Sequence, residues 1–412
     1  MIGKISDAQL LAAAAVVAPG LATIAPLGIA PLLVLLAIAL LAVERRRRLV
    51  PDRVLHVLSI LLAALALWGA ASTTWSIIPS HSLFEAVRFA LLSGAGLVVT
   101  SASLTVDEAG RTRVGRASLI GFVLALILLA IEILGKFPIR HALSGAADRV
   151  ISLPALDRGA IVLVLGSWPP ILFLIERRRR FAAVLVFIAT LAALQLLISL
   201  TAVLALAMGA AGFALAWWRP RAAALMLAAG FVALTAVLPF RAPTRDTVIW
   251  LSEAAPWLRT SSQHRLIIWR FTSDRIAERP LLGWGMDAAR AIPGGKTSVR
   301  DYMSLPDRLL LEGAVMPLHP HDAILQWSLE LGIGGQLLGG TIVVCILWGA
   351  GFAETASRAT RAAGIAAIAA ALLPLLLSFG VWQAWWQSTL WLMAGLIVAI
   401  GDAPRQYKGI AS

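Results

Sequence analysis

The chain has 412 residues, of which 59% are hydrophobic and only 14% are charged. Soluble globular proteins carry about 25% charged residues, so this composition excludes a soluble domain and places most of the chain against lipid or other helices. The formal charge of +13 lies in short loops between apolar runs, so we expect membrane lipids rather than nucleic acid as its partner.

About twelve apolar runs follow one another, each near the roughly 20 residues that a helix needs to cross a bilayer. Helices are expected because a lipid-exposed segment must satisfy its own backbone hydrogen bonds. The runs lie near 8–24, 27–43, 54–72, 85–103, 117–134, 158–175, 181–199, 201–217, 222–239, 322–348, 362–379 and 388–401. The pattern predicts an all-α polytopic membrane protein with an N-terminal bundle (1–239), a long loop (240–321) and C-terminal helices (322–412).

Arginine-rich loops predict the orientation, because cytoplasmic loops carry an excess of Lys and Arg. With twelve spans these loops all fall on one side, and that side is then the cytoplasm. The loop 240–321 is consequently expected outside the cytoplasmic membrane, on the periplasmic side of a bacterial inner membrane. The arginines concerned lie at 44–48, 111–116, 176–180, 219–221 and 358–361.

The long loop contains the segment Ser261–Arg290, whose first half predicts an imperfectly amphipathic helix that ends before Pro280. A tight turn with a tryptophan follows at 282–285. Four tryptophans suggest that the loop lies on the bilayer surface rather than forming a separate domain. They are Trp250, Trp257, Trp269 and Trp284.

His321 stands where the polar loop meets the tenth apolar run. Pro320 is suited to the first turn of a helix, so the sequence predicts His321 at a helix N-terminus. The partial positive charge there disfavours imidazolium, and a neutral imidazole is a candidate proton acceptor. The alternative that residue type leaves open is a histidine that only caps the helix.

Arginines near membrane depth suit bidentate recognition of phosphate. A lipid-linked diphosphate presents its phosphates at this depth and is a competent leaving group if its developing charge is neutralised. The outer loops show no paired acidic residues with metal-ligand spacing, so we expect neither a metal ion nor another cofactor.

Three segments resemble the O-antigen ligase family. They are the early Ser/Trp-rich stretch at 67–86, HRLIIW followed by RPLLGWG (264–285), and His321-Asp322 separated by nine residues from Gly332-Ile-Gly-Gly335. The number of spans and the position of the long loop are similar too. The resemblance implies a GT-C-like, metal-independent, inverting glycosyltransferase. It would move a glycan from an undecaprenyl-diphosphate carrier to lipid A–core.

By motif position, the resemblance implies that Arg158 and Arg265 bind the diphosphate and that His321 is the essential histidine. Glu330 matches an acidic position before the glycines of the family motif. His319 and Arg270 join Arg158, Arg265 and Glu330 as candidate substrate-binding residues.

Two positions depart from the family pattern. Asp322 stands where an amide or hydroxyl residue is usual, and Leu200 where an arginine is common. The same superfamily contains glycan polymerases and protein O-oligosaccharyltransferases, which differ in the acceptor. A membrane transporter is the alternative from another class, and the small number of charges inside the spans argues against it.

Overall fold

The computed structural model describes residues 5–43, 52–144, 156–197, 199–255, 260–306, 309 and 311–401. Within these ranges the chain is helical and contains no β-strand, apart from one isolated bridge between Ser298 and Ala314. Eleven helical segments in this part of the chain are long and apolar enough to span a membrane, and the shorter Ala384–Ile400 is a twelfth apolar helix. The prediction of an all-α polytopic membrane protein is confirmed. The first ERRRR run, at 44–48, lies outside the described residues.

Seventeen α-helices make up the described chain. They are α1 Asp7–Ile24, α2 Ile29–Val43, α3 Arg53–Ala71, α4 Pro79–Leu104, α5 Glu108–Leu134, α6 Pro138–Ser144, α7 Asp157–Gly166, α8 Trp168–Glu176, α9 Arg180–Leu197, α10 Leu200–Trp218, α11 Pro220–Val237, α12 Arg245–Ala254, α13 Thr260–Glu278, α14 Val299–Met303, α15 Ala323–Phe352, α16 Arg358–Leu377 and α17 Ala384–Ile400.

Several helices begin earlier than the apolar runs. α5 starts at Glu108 rather than near 117 because the Asp107 side chain accepts a hydrogen bond from the Gly110 amide (2.8 Å) and caps the helix. The sixth predicted span is two helices, α7 and α8, which are separated at Ser167. Pro169 and Pro170 occupy the first turn of α8, where the missing amide hydrogens cost nothing.

The loop between α11 and α15 is a folded unit with its own apolar core. Ile268, Phe271 and Val315 are almost fully buried in it, and Leu325 and Leu329 from α15 complete the same cluster. α13 has the predicted helical conformation and ends before Pro280. The tryptophans differ from the expectation of a purely surface-lying segment. Trp250 is 65% exposed, whereas Trp284 is only 6% exposed.

α15 follows this loop directly and contacts several other helices. It packs against α3, α11, α13 and α16, while α17 packs against α4. Gly332 interrupts α15 with φ +60 and ψ −157, a backbone conformation that favours glycine. The kink frees backbone groups for contacts with the long loop, and the candidate site lies at this end of α15.

Candidate functional site at the loop-bearing end of α15

α15 begins at Ala323, three residues after Pro320, which the sequence predicts in the first turn of this helix. The side chain of Asp322 accepts a hydrogen bond from the Leu325 amide (2.8 Å), so Asp322 is the N-cap and Ala323 is the first helical residue. Pro320 and His321 therefore precede the helix, and the expected position of Pro320 in its first turn was wrong. His321 has φ +59, so the chain turns sharply between loop and helix.

The imidazole of His321 is held in one tautomer. Its Nδ1 lies 2.6 Å from the carbonyl oxygen of Ser378, which can only accept, so Nδ1 carries the proton of the neutral ring. Nε2 keeps its lone pair and has no hydrogen-bond partner among the described residues. Burial lowers the pKa of His321 from 6.5 to about 4; the Ser378 bond opposes this, and the positive charges of Arg265 and His264 add to it. The neutral imidazole follows from burial rather than from the helix N-terminus.

His319 supports His321 from the buried side. Its Nδ1 accepts the backbone N–H of His321 (3.1 Å), and the two rings lie 4.3 Å apart between centroids. The ring is 5% exposed and packs against Gly380, where an added Cβ would lie 3.0 Å from it. Burial lowers the pKa of His319 to about 3, with smaller contributions from His321, Arg290 and Arg265. His319 thus has a structural contact with the backbone of the candidate base.

The positive charge of Arg265 acts on both histidines and lowers the pKa of each. Burial lowers the pKa of Arg265 itself, and the carboxylate of Asp157 opposes that shift, so Arg265 of α13 lies close to the start of α7. Arg158, the next residue of α7, is exposed, and its guanidinium carbon lies 5.7 Å from the ring centre of Trp385. The structure thereby brings Arg158, Arg265, His319 and His321 to one region.

Arg270 lies on another face of α13. It is five residues from Arg265, which corresponds to about 140° around the helix. Its Nε donates to Asp274 Oδ2 (3.1 Å), and the hydroxyl of Tyr302 donates to the same carboxylate oxygen. The described contacts of Arg270 are therefore within the loop rather than with the histidines.

Glu330 is completely buried, and both of its carboxylate oxygens accept hydrogen bonds from the protein. One oxygen accepts the Asp287 amide (3.0 Å) and the indole N–H of Trp382. The other accepts the Ala289 amide (3.3 Å) and the Gln326 side chain (3.1 Å). Such a carboxylate, surrounded by four protein donors, fixes the position of the 287–289 backbone.

The turn at 280–287 docks onto the kink of α15. Trp284 N–H donates to Leu329 O (3.0 Å), Gly285 N–H donates to Glu330 O (2.8 Å), and Ile333 N–H donates to Pro280 O (3.0 Å). Gly283 has φ +70, and a side chain there would collide with the α15 backbone. The first two bonds satisfy the Leu329 and Glu330 carbonyls at the kink, and the third satisfies the Ile333 amide.

The early Ser/Trp-rich stretch contacts this same turn. The indole N–H of Trp75 donates to Leu282 O (3.0 Å), and the hydroxyl of Ser82 donates to Met286 O (2.8 Å). The indole N–H of Trp68 donates to Leu331 O (2.9 Å) at the kink itself. The three sequence segments that resemble a known family are therefore in contact with one another.

Sequence reasoning missed a second polar cluster, formed by His81, Glu85 and Asp287. His81 Nε2 lies 2.8 Å from Asp287 Oδ2 and 4.0 Å from Glu85 Oε1. These three side chains offer ligand atoms within 4.8 Å of one another, as a divalent metal site would require. Glu85 is however paired with Arg88, which also donates to Trp382 O (2.9 Å). The carboxylates thus have partners within the protein, an arrangement typical of a hydrogen-bonded network.

The fold and the site define a polytopic, all-α membrane protein whose histidines and arginines meet where a long loop docks on a kinked helix. Residues 185–338 match the model of the family described as O-antigen ligase. This region contains Arg265, His319, His321 and Glu330, but not Arg158.

Three rickettsial proteins, each named "Putative polysaccharide ligase", are similar to the chain over most of its length. The relative from Rickettsia felis is 27% identical over 333 residues, which are 79% of this chain and 76% of the relative. The relatives from Rickettsia conorii and Rickettsia bellii are 25% and 26% identical, with the same coverage. Together the matches show that the chain is similar to the O-antigen ligase family over 185–338 and to proteins named as putative polysaccharide ligases over most of its length.

Proposed function

We propose that the chain is a glycan ligase that transfers a glycan from an undecaprenyl-diphosphate carrier to lipid A–core. The family match and the named relatives support a glycan-ligating membrane enzyme. The carrier, the acceptor and the site on the periplasmic face of the inner membrane are our proposal. So are the GT-C-like fold and the division into a bundle (1–239), a catalytic loop (240–321) and C-terminal helices (322–412).

One observation carries the mechanism. His321 is held with its proton on Nδ1 by the carbonyl of Ser378, so Nε2 keeps a lone pair, and the charge of Arg265 helps to keep the ring neutral. An acceptor hydroxyl is a poor nucleophile until its proton is removed, and a neutral imidazole whose tautomer is fixed can remove it.

In the proposed reaction, His321 Nε2 takes the proton of the acceptor hydroxyl as that oxygen attacks the anomeric carbon. The bond between the anomeric carbon and the diphosphate oxygen breaks, and the electron pair leaves with the diphosphate. Attack from the opposite face inverts the anomeric centre. Arg158 and Arg265 stabilise the charge that develops on the leaving group. The imidazolium then returns its proton to water or to the released diphosphate.

Reconstitution tests this proposal. The purified protein would be placed in proteoliposomes with a radiolabelled undecaprenyl-diphosphate glycan and lipid A–core, without any other acceptor. We expect label to move to lipid A–core. Label that accumulates instead on longer carrier-linked glycans identifies a polymerase, and transfer only after addition of a protein substrate identifies a protein O-oligosaccharyltransferase. Either result contradicts the proposed acceptor.

A further inference from the structure

Arg290 is an exposed cation beside the candidate site that the mechanism above does not use. It lies in the single 3-10 turn Ala289–Ala291, immediately after the docked turn. Its positive charge is close enough to lower the pKa of His319, as Arg265 also does. The backbone agrees, because the Ala289 amide and the Gln326 side chain donate to the same oxygen of Glu330. A Cβ added at Gly380 would lie 3.3 Å from Gln326 Oε1 and 3.0 Å from the His319 ring, so the turn that carries Arg290 is close to His319.

The positive charge of Arg290 also acts on the carboxylate of Glu85. Arg290 forms no ion pair with a described residue, although three carboxylates lie in this part of the fold. Each of those carboxylates is engaged elsewhere. Asp287 is hydrogen-bonded to His81, Glu85 is paired with Arg88, and Glu330 accepts four hydrogen bonds. Because these carboxylates already have partners, the guanidinium of Arg290 can bind an anionic group of a ligand.

The backbone beneath Arg290 is held in place. Ala288 and Ala289 are fully buried, and the amides of Asp287 and Ala289 both donate to the carboxylate of Glu330. Placing a cation on an anchored turn reduces the entropy lost when it binds a ligand. Glu330 thus acts as a positioning residue for Arg290, without contacting the ligand itself.

We propose that Arg290 binds a phosphate group of the lipid-linked donor, as a third arginine with Arg158 and Arg265. This inference rests on the proposed function, because it takes the donor to be a diphosphate. A diphosphate diester carries two negative charges spread over four outer oxygens, and three guanidinium groups from separate segments can contact more of them than two can. A phospholipid headgroup offers the same chemistry, so the test must separate these two sources.

The experiment measures binding of undecaprenyl diphosphate to the full-length protein in phosphatidylcholine nanodiscs, with undecaprenol as the ligand that lacks phosphate. Arg290→Ala should raise the Kd for undecaprenyl diphosphate about tenfold, which corresponds to the loss of one charge-assisted contact. Arg290→Lys should recover part of the loss because it keeps the charge without the planar fork. The matched control is Lys296→Ala, which removes an exposed cation from the same loop and should change the Kd less than twofold.

Three outcomes overturn the inference. In the first, Arg290→Ala binds undecaprenyl diphosphate as wild type does. In the second, the variant loses undecaprenol binding equally, so the phosphate is not what Arg290 contacts. In the third, phosphatidylglycerol competes away the Arg290-dependent binding, which assigns Arg290 to a membrane headgroup. A wild-type protein that does not prefer undecaprenyl diphosphate to undecaprenol contradicts the proposed function itself, and the inference with it.

Discussion

The neutral state of His321 predicts an acid-tolerant enzyme. Burial lowers the pKa of His321 from 6.5 to about 4. At pH 5.5 an ordinary histidine is about 10% neutral, whereas a group with a pKa near 4 is about 97% neutral. If His321 is the base, the transfer rate should fall less than twofold between pH 7.5 and 5.5, rather than about tenfold.

The titration of Asp322 must be separated from that of His321, because the two residues are neighbours and Asp322 also changes its protonation in the pH range of the assay. Burial raises its pKa from 3.8 to about 7, against the hydrogen bonds from the Leu325 and Ile324 amides. The folded state therefore binds the extra proton between about pH 4 and 7, and its stability falls as the pH rises through that window. Asp322→Asn keeps a capping side chain and fixes the uncharged form.

The assay is the initial rate of glycan transfer in proteoliposomes from pH 4.5 to 8, for wild type and Asp322→Asn. Rates would be normalised to the folded fraction. This normalisation is necessary because His321 is protonated below about pH 6.5 in the unfolded state but only below about pH 4 in the folded state. The free energy of unfolding therefore falls as the pH is lowered from about 6.5 to 4. An acidic limb centred near pH 6.5 in Asp322→Asn would refute the assignment of His321 as a buried neutral base.

Three further predictions concern charge and topology. Arg265→Lys should recover little activity, with kcat/KM reduced on the order of 10²-fold, because lysine lacks the bidentate fork; a variant near wild type in the same transfer assay would exclude that contact. Transfer should persist in excess chelator, whereas a loss of activity that added Mg²⁺ reverses would contradict a metal-independent reaction. The topology can be tested by labelling single cysteines in a Cys345→Ser background, in cells with a permeabilised outer membrane. A cysteine at position 278 should react with a membrane-impermeant thiol reagent, and one at position 178 should not. Equal labelling of the two would contradict the topology.

The spans could be predicted from the sequence because each depends on local information. Hydropathy over about 20 residues locates a transmembrane helix without knowledge of its neighbours. The approach of Arg265 to His319 and His321 was anticipated through a family resemblance rather than through geometry. The start of α15 was placed too early because Pro320 is a favourable first-turn residue, whereas the side chain of Asp322 forms the capping bond and the helix begins at Ala323.

Long-range contacts could not be predicted. His81 and Asp287 are separated by 206 residues, and the signal that could have found them was the early Ser/Trp-rich stretch, whose partner in the fold was unknown. The surroundings of Glu330 depend on the kink at Gly332, which lets the 280–287 turn approach the α15 backbone. The sequence contains that glycine but does not show which segment packs against it.

The exchange of His321 for alanine tests the central claim most directly. In proteoliposomes with a labelled undecaprenyl-diphosphate glycan and lipid A–core, His321→Ala should transfer glycan at least about 10²-fold more slowly than wild type. Its binding of undecaprenyl diphosphate and its thermal midpoint should be unchanged, and His56→Ala, at an exposed position on α3, should behave as wild type does. A folded His321→Ala protein that transfers glycan at nearly the wild-type rate would contradict the account.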